Sequence, residues 1–136
     1  MSYAITAALQ QAVYAALVAD GPVSTLSSGA IHDALPPGPV PDLYISLGPE
    51  RVQDRSDGSF GGAWHDFPVI VISDGAGFTE AKTLAAAVSD ALVDANLTLS
   101  RGRLVSLRFL RARARVIDDR REIEVWFRAH VDECPG

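Results

Sequence analysis

Residues 103–132 read RLVSLRFLRARARVIDDRREIEVWFRAHVD, and this stretch decides the fold. From Arg121 to Asp132, Ile123, Val125, Phe127, Ala129 and Val131 alternate with Glu122, Glu124, Trp126, Arg128 and His130. Successive strand side chains point to opposite faces, so a period of two describes a half-buried antiparallel strand. Arg103–Ile117 is its hairpin partner, but its apolar phase changes midway. Val105, Leu107 and Phe109 share a face that Arg111, Arg113 and Arg115 continue, whereas Leu110, Ala112, Ala114 and Val116 form the later apolar set. A bulge near Phe109 or Leu110 restores a single core face. Without one, the second half of the strand leaves the sheet and packs against another chain. Arg111, Arg113 and Arg115 point the same way in either case.

Upstream, Ile5, Leu9, Val13 and Leu17 recur every four residues and predict a first helix, which Asp20-Gly21-Pro22 ends. Ser2 is its expected N-cap. Ala81, Leu84, Ala85, Val88, Leu92 and Ala95 predict a second helix after a Thr79 cap. Burying each stripe on a sheet yields roughly 1.5–3 kcal/mol per large apolar side chain. Strands are expected at 30–34, at 43–47 and at 64–73, where Val69-Ile70-Val71-Ile72 predicts burial on both faces. Residues 35–41 form a stiff proline-rich connector. Residues 50–62 are polar and glycine-rich and read as a mobile loop that would reach an adjoining ring or tube. The order helix, strands, helix, strands makes the chain α+β, with two helices packed on a mainly antiparallel sheet. All 136 residues fit one domain.

The charge distribution is lopsided. The chain has eleven arginines and one lysine, and nine of the arginines lie between Arg101 and Arg128. Residues 1–100 carry a net charge of −8 and residues 101–136 a net charge of +3. A bipolar domain suits head-to-tail joining of copies, and the planar arginine fork binds carboxylates at two points. The same pattern also describes a solvated edge hairpin, since charged edges guard against aggregation. Three arginines spaced two apart could also track phosphates. Phe109 and Trp126 are the only aromatic rings near the arginine row available for base stacking, which favours protein contacts. The overall charge of −5 disfavours a general nucleic-acid or membrane binder. The single cysteine, Cys134, cannot form an internal disulfide, and no charged leader or apolar span is visible. A soluble, cytoplasmic product is expected.

Catalytic chemistry has little support. Asp74-Gly75-Ala76-Gly77-Phe78-Thr79-Glu80 follows a buried strand and opens a helix, as a dinucleotide-binding turn does. Its third glycine is missing, and Glu80 in the first helical turn would repel a pyrophosphate. His32, His65 and His130 lie on three separate elements without metal-ligand spacing. His65 and Asp66 are adjacent in a strand and therefore point apart. No catalytic, cofactor or metal residue is assigned, and a small α/β enzyme is the weakest class.

Several segments carry a family resemblance in their order and spacing. They are Met1-Ser2-Tyr3-Ala4 with Ala8-Leu9-Gln10, then Ile31-His32-Asp33-Ala34-Leu35-Pro36, and then Tyr44-Ile45-Ser46-Leu47-Gly48. Val13-Tyr14, Leu17 and Asp20, Gly77 with Glu80-Ala81-Lys82, the Ala85 to Leu92 helix, Leu97, Leu99, Gly102-Arg103-Leu104-Val105 and Phe127-Arg128-Ala129 complete the set. Together they resemble the tail terminator, or tail completion, proteins of long-tailed non-contractile phages, in particular the versions carried by bacterial gene transfer agents. Leu43 and Ile72 depart from that pattern, standing where proline and tryptophan are common.

The resemblance implies a non-enzymatic virion subunit in a hexameric ring, cytoplasmic before assembly. Such a ring caps the head-proximal end of the tail tube, ends its polymerisation and joins the tail to a head–tail connector or stopper. DNA passes through the lumen without specific binding, and no membrane is involved. Arg111, Arg113, Arg115, Glu122, Glu124 and Arg128 are the expected subunit or partner interface. The alternative is a head–tail connector or a nucleic-acid-binding module that uses the arginine-rich C-terminal hairpin.

Overall fold

The computed structural model describes residues 5–32, 42–54, 62–75 and 78–132. Its elements, in chain order, are helices α1 (Ile5–Ala19) and α2 (Gly21–Ser27), strands β1 (Ile31–His32), β2 (Leu43–Leu47), β3 (Arg51–Asp54) and β4 (Ala63–Ser73), helix α3 (Thr79–Leu92), and strands β5 (Arg103–Ile117) and β6 (Arg120–Asp132). The strands form one six-stranded sheet in the order β1-β2-β4-β6-β5, with β3 also paired to β4. Only β1 and β2 run parallel; the other pairs are antiparallel. The α+β class is thus borne out.

Strand β4 is the spine of the sheet. It pairs along its whole length with β6, while β2 takes the Val69–Ser73 half of its other edge and β3 takes Ala63–Asp66. Phe67, Val69 and Val71 join Val125, Phe127 and Ala129 beneath the helices, with Ile5, Leu9, Val13 and Leu17 from α1 and Leu84, Val88 and Leu92 from α3. The Phe67 and Phe127 rings stack at 5.8 Å. Ile72 on the opposite face packs with Ala30 and Tyr44, so β4 is buried on both sides as its apolar run predicts.

Three differences from the sequence expectations have local causes. There are three helices, because Asp20 ends α1 and also starts α2: the Val23 N–H donates to Asp20 Oδ2 at 3.1 Å, with Pro22 in the first turn. Thr79 is the first residue of α3 and does not cap it; Phe78 occupies the cap position without a side-chain hydrogen bond. Residues 50–62 are not one loop, since Arg51–Asp54 pairs with β4 as a hairpin arm, with Val52 opposite His65. The open edge of β4 beyond β2 supplies the pairing that polar composition alone does not reveal. The Ser2 cap, the connector at 35–41, and residues 33–34 and 55–61 of the expected strand and loop lie outside the described residues.

After α3 the chain crosses to β5 with Leu97 and Leu99 packed on the core. It enters β5 through Gly102, whose φ of +79° is open to glycine at little cost. A Cβ there would sit 3.1 Å from Ile5 Cδ1 and 3.2 Å from the Asp132 carbonyl oxygen.

Candidate functional site

The hairpin of β5 and β6 turns on Asp118 and Asp119, both at positive φ, 48° and 64°. That pair of left-handed residues is the two-residue turn matching the twist of the flanking strands, and aspartate tolerates it better than most side chains. The strand pairing slips twice, between Leu104 and Ser106 and between Phe109 and Arg111. The second slip is the bulge expected from the phase change, and it makes Leu110 the extra residue. Leu107 and Phe109 before it, and Ala112 and Ala114 after it, therefore all face the helices, opposite Ala129, Phe127, Val125 and Ile123.

The other face collects the charges. Arg108, Arg111, Arg113 and Arg115 stand opposite Arg128, Trp126, Glu124 and Glu122. All six residues expected at an interface share this face. Arg108 joins them because the bulge changes the parity between positions 108 and 111. The sequence reading missed it, although the phase change at Phe109 was the signal.

Within this face the arginines are used differently. Arg128 Nε donates to Asp66 Oδ1 at 2.8 Å and Nη2 donates to Asp66 Oδ2 at 2.9 Å, a two-point fork onto a buried carboxylate. Its guanidinium also lies 4.3 Å from the Trp64 ring centre. The Asp66 hydrogen bond raises the Arg128 pKa above its already high ordinary value. Arg128 is thus braced inside its own chain, across β4 and β6. Arg115 reaches Glu124 at 3.6 Å and Glu122 at 3.9 Å, and Arg111 lies over Trp126 at 4.8 Å. Arg108 and Arg113 have no ion-pair partner among the described residues.

Among the described residues, strand β5 is an edge strand with no pairing on its outer side. Its second half lacks full cover on the helix face too, since Phe109, Ala112, Ala114 and Val116 are all exposed. The part of the strand that carries the arginines projects from the body while remaining paired to β6.

The remaining candidate sites have structural explanations. At the glycine turn, Ser73 Oγ accepts from the Gly75 N–H at 3.1 Å and Arg121 Nη1 donates to the Gly75 carbonyl at 2.9 Å, which locks the strand-to-helix junction. His65 is fully buried under α1, beside a cavity of about 30 Å3 lined by Gln10, Leu47, Glu50 and Phe67. Neither of its ring nitrogens has a hydrogen-bond partner among the described residues. Burial lowers its pKa, against an upward pull from Glu50 and Asp66. His65 faces the core while Asp66 holds Arg128 on the other side, so the two form no orienting pair. Among the described residues no cluster could hold a metal ion, and no helix is long and apolar enough to cross a membrane.

Comparison with known proteins gives this architecture a context. No curated protein matches the sequence. Among solved structures, a chain from the virion of a native gene transfer agent (GTA) particle is 56% identical, with a TM-score of 0.91. The match covers 96% of this chain and 99% of that one. The family model described as tail completion protein gp17 matches residues 11–132, from the middle of α1 to the end of β6. This is a family of structural tail proteins, not of enzymes. The chain belongs to the tail completion protein gp17 family.

Proposed function

We propose that this protein is a virion component of a phage-like particle, forming a hexameric ring at the head-proximal end of the tail. There it ends polymerisation of the tail tube and joins the tail to a connector or stopper protein. The observation that carries this reading is the 56% identity, over nearly the full length of both chains, to a component of a gene transfer agent virion. With a TM-score of 0.91 the two chains share one fold, which supports a like place in the particle.

The arginine face supplies the contact chemistry. Arg108, Arg111, Arg113 and Arg115 form a row along an open strand edge, and they meet carboxylates of a neighbouring subunit or of a tail or connector protein. Glu122, Glu124 and Asp66 lie within the same face, which makes it mixed in sign. A mixed face suits a protein partner that must fit in register. A phosphate track calls for uninterrupted positive charge, and each contacted phosphate adds to a steep salt dependence. DNA sliding through a ring lumen is better served by weak contacts.

The test is the triple variant Arg111→Gln, Arg113→Gln, Arg115→Gln. Its far-ultraviolet circular dichroism should match wild type, while electron microscopy should show a shift from tailed particles to tailless heads. If the variant assembles normally but loses a DNA mobility shift that wild type shows at physiological salt, the row lines a DNA channel instead.

A further inference from the structure

Among the described residues, two exposed apolar surfaces have no partner, and they differ in shape. The first is a ridge. Helix α1 contains no charged residue over its fifteen positions, and its outward side presents Tyr14 and Val18, 41% and 45% exposed; Leu26 of α2 is exposed as well. A solvent-facing helix surface normally carries charges, so an uncharged one with large apolar side chains marks a covered surface. The second is a groove of about 370 Å3 between α3 and the projecting half of β5. Ile123 and Val125 line it, with Ala85 and Ala112 among the small side chains that leave it open, and Phe109 stands at it half exposed.

We infer that the ridge of one copy seats in the groove of the next, forming the apolar part of the contact that closes the ring. This rests on the ring reading above and names the surfaces that make it. Ridge and groove belong to different parts of the fold: α1 packs against α3 and β1, whereas the groove follows the border of α3 with β5. A cyclic contact joins two unlike patches of the same chain, which this arrangement provides. The charges agree. Lys82 lines the groove, whereas the ridge ends at the C-terminus of α1, which has no basic residue in its last turn and is followed by Asp20. The negative end of the helix dipole and that carboxylate would thus come to the Lys82 ammonium.

The experiment uses two variants of the full chain, Val18→Glu on the ridge and Ala112→Glu in the groove, both at exposed positions. Circular dichroism checks that each is folded, and sedimentation velocity is run under the condition in which wild type forms rings. Each variant alone is expected to lose rings and sediment as a monomer. An equimolar mixture should yield a dimer that grows no further, because the intact ridge of Ala112→Glu can enter the intact groove of Val18→Glu. Rings from either variant alone, or a mixture that stays monomeric, would overturn the pairing while leaving the ring reading in place. A wild type that forms no ring, with or without tail tube protein, would remove both.

Discussion

Replacing Arg128 with alanine separates an internal brace from a docking residue. Two charge-assisted hydrogen bonds of 2.8 and 2.9 Å would be lost, together with the stacking on Trp64, and the Asp66 carboxylate would be left unpaired. Removing one partner of a fully buried ion pair costs about 3–5 kcal/mol. Here the Arg128 side chain is 24% exposed and that of Asp66 12%, so water can partly replace the lost donors. A hydrogen bond to a charged group contributes roughly 1.5–3 kcal/mol, and the second bond of a fork adds less than the first. The expected destabilisation is therefore about 3 kcal/mol, a fall in melting temperature on the order of 10 °C for a chain this size. Arg113→Ala, which breaks no ion pair within the chain, should stay within about 0.5 kcal/mol of wild type. Urea denaturation of Asp66→Ala, Arg128→Ala and the double variant measures the coupling directly. A coupling below about 0.5 kcal/mol, or an Arg128→Ala protein as stable as wild type but unable to assemble, would refute the brace and return Arg128 to the interface.

Two further outcomes follow from the structure. His65 has a folded pKa below its ordinary value of about 6.5, so the unfolded chain takes up the proton first. Its contribution to stability is whole above that pH and is lost as pH falls from there toward the folded value, by at most about 1.4 kcal/mol per pH unit. His65→Leu should flatten that part of the denaturation-midpoint profile; an unchanged slope would show that other groups set it. Asp20→Ala removes the side-chain acceptor for the Val23 N–H and should cost about 1 kcal/mol by thermal melting, whereas Asp20→Asn should retain most of the stability.

Periodicity made most of the fold legible. The four-residue repeats of α1 and α3 and the alternation of β6 are local patterns, and each leads directly to its element because burying one face is worth more than any competing arrangement. The sequence also carried the family likeness, the uneven charge and the phase change in β5. Other features depended on partners distant in the chain. Residues 51–54 became a strand because β4 is longer than β2 and left an edge free. The internal partner of Arg128, Asp66, lies 62 positions away and is set by the register of β4 on β6. Arg108 joined the arginine row only through a bulge, whose position depends on how two strands align. The groove beside α3 exists because the helix layer stops short of the end of β5. A sequence determines which faces want burial; which of them find cover, and which charges find partners, depends on long-range pairing that no local window contains.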